Sequence, residues 1–179
     1  MPGPDDAGTI ARAGTIKAEH VFTKPFAPRE DRKVLSLDVD GESFVPDATR
    51  VWRSPASTLE ITSDARAIEA DFSIDPTPLA MGIAHTDSNQ HVNSLVYPRL
   101  FEEAVLRKLA AVGRPRDVLA RSFDVAFRRP SFAGDVLRAR LRLYERDGGW
   151  VATGSFFAEG EDDPTKARVF VQMCLAKLA

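Results

Sequence analysis

Cysteine occurs once in these 179 residues, at Cys174, which excludes an internal disulfide and suits a reducing, cytoplasmic setting. Histidine occurs three times, and no Cys/His spacing of a structural zinc site is present. A GxGxxG turn and a phosphate loop are also missing, so dinucleotide and P-loop chemistry drop out. No apolar run approaches the length of a membrane-crossing helix. The opening MPGPDDAGTI lacks the basic and apolar regions of a secretory signal. Charge of neither sign dominates: 24 Lys and Arg against 26 Asp and Glu leave a net −2, which gives no field for nucleic acid or an anionic membrane. What remains is the composition of a folded domain, 44% hydrophobic, long enough for one full core and an appendage.

Residues 1–20 are Gly, Ala, Pro and charge, with AGTI at 7–10 and 13–16, and read as a flexible tail. Residues 21–82 read as a β-rich extension. There Leu35, Leu37 and Val39 alternate with polar residues up to Asp40-Gly41, a pair that favours a tight hairpin. RVWRSP and ARAIEADF are further strand candidates, and Pro46, Pro55, Pro76 and Pro78 keep such strands short.

Residues 83–179 carry the clearer pattern. A helix is expected between a cap at Asn93 or Ser94 and the stop signal Gly113-Arg114-Pro115. Tyr97, Leu100, Phe101, Ala104 and Ala111 share one face, while Leu95, Leu106 and Leu109 form a second stripe, so sheet is expected to enclose the helix. Four strands follow: FDVAFRR, VLRARLRLYE, WVATGSFFA and ARVFVQMCLAKL. One long helix before a four-strand antiparallel meander is an α+β arrangement. Arg138, Arg140 and Arg142 read as the solvated face of their strand, and Trp52 and Trp150 as core or interface aromatics.

The stretch AHTDSNQHVNSLVYPRLFEEAV carries the chemistry. Asp87, Asn89, His91 and Asn93 recur at intervals of two, which places them along one wall if the chain there is extended. They precede a helix start, where unpaired N–H groups and a partial positive charge suit a developing oxyanion. A carboxylate and an imidazole beside it offer a base for attack on an acyl carbonyl. Asp, Ser and Asn are also ordinary turn and cap residues, and the pattern alone leaves that reading open.

DSNQHVNSLVY followed by FEEA resembles the D-x-N-x-H-V-N-N-x-x-Y signature of hotdog-fold thioesterases, most of all the acyl-ACP thioesterases, and only Ser94 departs from it. The resemblance covers residues 83–178 and includes FRRPSFAGDVL. It implies a long central helix wrapped by an antiparallel sheet, in a homodimer or larger assembly with the site between units. It also implies hydrolysis of an acyl-CoA or acyl carrier protein thioester, with no metal or organic cofactor. Asp87 would be base or nucleophile, Asn89 would orient substrate or water, and His91 would be base or hydrogen-bond partner. Glu103, or in its place Glu102, would act from the partner subunit, the N–H groups of Val92 and Asn93 would hold the oxyanion, and Tyr97, Arg128 and Arg129 would line the substrate site.

Two departures leave alternatives open. Pro130 stands where the acyl-ACP branch carries a glutamate, and His85 stands where an aspartate is common. A hotdog protein that binds acyl groups without hydrolysing them, and an acyl-thioester dehydratase or hydratase, are the other readings. Residues 21–82 would be a reduced first hotdog unit or an added layer of sheet.

Overall fold

The structure, a computed structural model, describes residues 14–17, 27–31, 34, 36–44, 53–88, 90–161 and 163–178. His20, Asn89 and the first half of RVWRSP, including Trp52, lie outside them. The chain divides into two units, Met1–Val51 and Trp52–Ala179. In the first, β1 (Leu37–Val39) and β2 (Glu42–Phe44) form the expected hairpin. Asp40 and Gly41 both have positive φ, 52° and 85°, as a two-residue type I′ turn requires.

In the second unit, period-two patterning builds the sheet. Along β7 (Val136–Arg146), Leu137, Ala139, Leu141 and Leu143 are fully buried against the helix, with arginines on the opposite face. β8 (Gly149–Ala158) returns through Asp147-Gly148, and β9 (Val169–Lys177) buries Val169, Val171, Met173 and Leu175 on the same side. These three strands are a meander. β6 (Val118–Phe127) does not join it at β7, as expected, but pairs with β9 at the far edge. The link from β6 to β7 is residues 128–135, longer than a hairpin loop, and it carries the chain back across the sheet.

The free side of β7 takes three short pieces in succession: β3 (Arg66–Ala67), β4 (Ser73–Ile74) and β5 (Leu79–Ala80). Together they act as one interrupted edge strand, broken where Pro76 and Pro78 withhold N–H groups. ARAIEADF does not run as one strand either, its register with β7 covering only Arg66–Ala67. The segment also crosses the arginine row. Arg138 bonds the Pro76 carbonyl and Glu159, Arg140 lies 5.5 Å over the Phe72 ring, and Arg142 bonds the Glu69 carbonyl at 2.9 Å. That face is half-buried rather than simply solvated.

Helix α1 (Val96–Ala111) lies on the inner face. Tyr97, Phe101, Ala104, Val105 and Leu109 are buried there, and each large apolar side chain contributes roughly 1.5–3 kcal/mol. The second stripe is not enclosed as a whole: Leu95 is 71% exposed and Leu106 half-buried, while Leu109 is buried; Ala111, expected on the first face, is open at the helix end. The C-terminus closes as predicted. Gly113 adopts φ 68°, and the N–H groups of Gly113 and Arg114 return to the carbonyls of Ala110 and Leu109 at 3.1 and 2.8 Å. Two ion pairs tie the interrupted edge to the helix. Buried Asp75 meets Arg107 at 2.9 Å, and Glu69 meets Lys108 at 2.7 Å.

The helix sits on a gap in β8. A Cβ at Gly154 would lie 2.6 Å from Phe101 Cε2 and 2.3 Å from the Arg140 carbonyl oxygen. Gly154→Ala is therefore expected to destabilise the protein by about 3 kcal/mol, the upper range for overpacking, seen as a lower urea midpoint. A change below about 0.5 kcal/mol, the range of a surface substitution, would mean that the helix does not seat there.

Candidate active site

The residues before α1 form a tight hairpin, not an extended wall. Thr86 bridges Val92, the Asp87 N–H donates to the His91 carbonyl at 2.9 Å, and the Gln90 N–H donates to the Asp87 carbonyl at 3.0 Å. Gln90 has φ 62°. A turn followed by one left-handed residue is the usual three-residue hairpin loop, and here Gln holds the position that glycine favours. The expected alternation along one side thus gives way to a fold-back. Asp87 and His91 face each other as the closing pair of the loop, both exposed, with Ser88 and Gln90 at its exposed tip.

The neighbouring N–H groups are already committed. Val92 donates to the Ser131 carbonyl and Asn93 to the His85 carbonyl, each at 2.8 Å. The expectation that these two amides hold an oxyanion is corrected on that ground: a donor bound to a carbonyl is not free for substrate. Asn93 has a different task. Its side-chain oxygen accepts the Leu95 N–H at 2.9 Å and its carbonyl accepts the Val96 N–H at 3.0 Å, while the cap position itself is Leu95, not Asn93 or Ser94. His85 is likewise structural, its Nδ1 accepting the Gly82 N–H at 3.0 Å.

Against the hairpin lies the loop between β6 and β7. His91 bridges Phe132 through the backbone, and their rings meet edge to face at 5.1 Å. The loop is held from both sides. Met81 exchanges bonds with it, its carbonyl accepting the Gly134 N–H and its N–H donating to the Asp135 carbonyl. Asp135 accepts the Phe132 N–H at 2.9 Å and pairs with Arg168. Partial burial pushes the Asp135 carboxyl up, but the Phe132 N–H and the Arg168 guanidinium outweigh it and hold the carboxyl below its ordinary value. Ser131, Asp135 and Arg168 were not singled out in the sequence, although FRRPSFAGD was. An aspartate one residue before a strand, following a glycine at φ 92°, is the signal that marks such a loop closure.

The remaining candidates sit apart from the closing pair. Tyr97 is buried beside Ser131, with its ring against Phe127 and Phe156, and burial raises its phenol pKa while Ser131 and Arg168 pull the other way. It is core, in the first turn of the helix, rather than a surface for substrate. Glu103 lies seven residues into α1, about 10 Å along the axis. It is exposed and 3.9 Å from Arg107. Arg128 bonds the Thr165 carbonyl, and Arg129 is exposed. The hairpin and the loop thus bring Asp87 and His91 together, with Phe132 alongside.

By sequence, the chain matches no family model and no curated protein. Solved structures do match its fold. A probable thioesterase from Bartonella henselae aligns at 16% identity and a TM-score of 0.50, over 59% of this chain and 90% of that one. The PaaI protein of the phenylacetic acid degradation operon of E. coli aligns at 16% identity and a TM-score of 0.51, over 63% of this chain and 82% of that one. The chain has the hotdog fold. The edge strand, the single long helix and the sheet order with β6 outermost are its hotdog architecture. Likeness at this identity carries the fold and not the chemistry, which rests on the site itself. Among the described residues, no helix of this hotdog chain is long and apolar enough to cross a membrane.

The left-handed residue at the loop tip is testable. Gln90→Val, which puts a β-branched side chain at positive φ, is expected to cost about 1–2 kcal/mol, and Gln90→Gly to be neutral or slightly stabilising. Equal stability of the two variants in urea denaturation would contradict this turn.

Proposed function

We propose that this hotdog protein is an acyl-thioester hydrolase whose reaction centre is the hairpin closed by Asp87 and His91. The observation that carries the reading is that closing pair. A carboxylate and an imidazole stand at adjoining, exposed positions immediately before the central helix. Their chemistry suits hydrolysis: water adds to the thioester carbonyl, a side-chain base takes its proton, and the thiol leaves from the tetrahedral adduct. The fold shared with the Bartonella probable thioesterase supports the same assignment. On this reading Asp87 is the base, His91 its partner at the carbonyl, and Asn89 orients water or substrate. The exposed Arg129, with Arg128, meets the phosphates of coenzyme A or an acidic carrier protein. A cytoplasmic setting fits the lone Cys174.

The active form on this reading is a homodimer, with Glu103 supplied across the interface. β6 is an edge strand of ten residues, and Phe123 and Phe127 on it are 46% and 50% exposed. A long edge with exposed aromatics invites pairing with a second chain. Light scattering is expected to give about twice the 19.7 kDa chain mass, and a monomer would contradict the dimer.

Thiol release from a panel of acyl-CoA and acyl-carrier substrates tests the activity. Asp87→Ala and His91→Ala are each expected to lower kcat/KM by at least about 100-fold, the usual scale for a general base, with thermal unfolding unchanged. Undiminished turnover in both variants would place the chemistry elsewhere. Acyl-ligand binding without turnover by the wild type would make this a binding protein.

A further inference from the structure

The loop that faces His91 is not held by its own residues alone. Arg168, which precedes β9, is bonded to it at four points. Its carbonyl accepts the N–H groups of Arg128 and Arg129 at 2.8 and 3.1 Å, where β6 ends. Its guanidinium reaches the Pro130 carbonyl at 3.4 Å and pairs with the Asp135 carboxylate, where β7 is about to begin. Arg168 therefore clasps both ends of the 128–135 link. It is itself fixed to the core, because its N–H donates to the carbonyl of Phe156, a fully buried residue of β8, at 2.8 Å.

The clasp bears on the hairpin through two contacts. The Ser131 carbonyl, midway along the link, holds the Val92 N–H, and Phe132 pairs with His91 in both backbone and ring. A continuous chain of bonds runs from the centre of the sheet through Arg168 and the loop to His91. We propose that Arg168 is a positioning residue for the reaction centre, fixing the depth and orientation of His91 without touching substrate. The inference rests on the hydrolase reading for its catalytic consequence, but not for its structural one. One terminal nitrogen, Nη1, reaches both the carboxylate and the carbonyl, and the planar guanidinium fixes the direction of that nitrogen, whereas a lysine head keeps the charge and loses the fixed geometry. Both partners are partly exposed, at 22% and 28% for their side chains, so the pair matters more as a geometric constraint than as a source of stability.

The test compares wild type with Arg168→Gln, Arg168→Lys and Asp135→Asn. Three quantities are read: kcat and KM on the best thioester substrate, the carbon-edited NMR signal of the His91 imidazole, and thermal unfolding. Arg168→Gln is expected to lower kcat by roughly 10–100-fold, the cost of a misplaced catalytic group, with KM little changed and the His91 signal displaced. Arg168→Lys should recover part of both. Asp135→Asn should displace the same signal, and the double variant should be no worse than the poorer single one, because the two residues form one clasp. A lowered unfolding temperature with kcat and the His91 signal unmoved would overturn the proposal and leave Arg168 a structural residue only. If Arg168→Gln does not fold, the lysine and Asp135→Asn variants carry the same comparison. If the wild type hydrolyses no thioester, the hydrolase reading fails by itself, and the His91 signal still decides the clasp: displaced upholds it, unmoved overturns it.

Discussion

Phe101 occupies the space that a side chain at position 154 would fill, and this contact sets how deeply the central helix lies in the sheet. Everything on the helix is indexed from there. Tyr97, one turn earlier, is pressed against Phe127 and Phe156, which fixes where the helix begins. Asn93 then holds the Leu95 and Val96 N–H groups, and the hairpin that ends in Asn93 is placed at the rim of the sheet. Overpacked by one methyl group, that seat would shift the first turn along with the core. Interiors packed as densely as crystals transmit such displacements rather than absorb them.

The second determinant is the bookkeeping of backbone donors near the helix start. Free N–H groups at that end are a common resource for binding anions. Here Val92 and Asn93 have given theirs to Ser131 and His85, so the local structure invests them in rigidity. The result is a hairpin tied to two other segments, with the exposed residues Asp87 and His91 paired through the backbone where it closes. A loop stabilised only by its own turn would let these side chains wander, and a reaction centre built on it would lose the orientation that catalysis needs.

Much of the architecture was legible in the residues. The strict alternation in Leu137 to Leu143 and in Val169 to Leu175 showed which faces are buried, and Asp40-Gly41, Asp147-Gly148 and Gly113 marked turns and a helix end by chemistry that few other residues supply. The place of β6 was not legible. Its partner β9 lies more than forty residues on, and local pattern does not encode which edge a strand joins. The hairpin at 87–91 is not legible locally because its left-handed residue is Gln90, which gives no glycine signal, so the sequence leaves an extended wall open there. The helix looked apolar on two sides because Leu95 and Leu106 were counted with Leu109. Leu109 in fact faces the sheet with Val105, and Leu95 precedes the helix. Residue type and spacing suffice to single out Asp87 and His91 as candidates, whereas Arg168 is joined to their hairpin only by tertiary bonds.

The most direct measurement is amide NMR mapping of where a non-hydrolysable acyl-CoA thioether binds. A candidate rival surface exists on the opposite face of the sheet, a cleft lined by Phe72, Ile74, Arg140 and Phe157. The account predicts the largest shifts at residues 85–94 and 128–135, centred on His91 and Phe132. Shifts confined to the cleft around Arg140, with the hairpin silent, would contradict it.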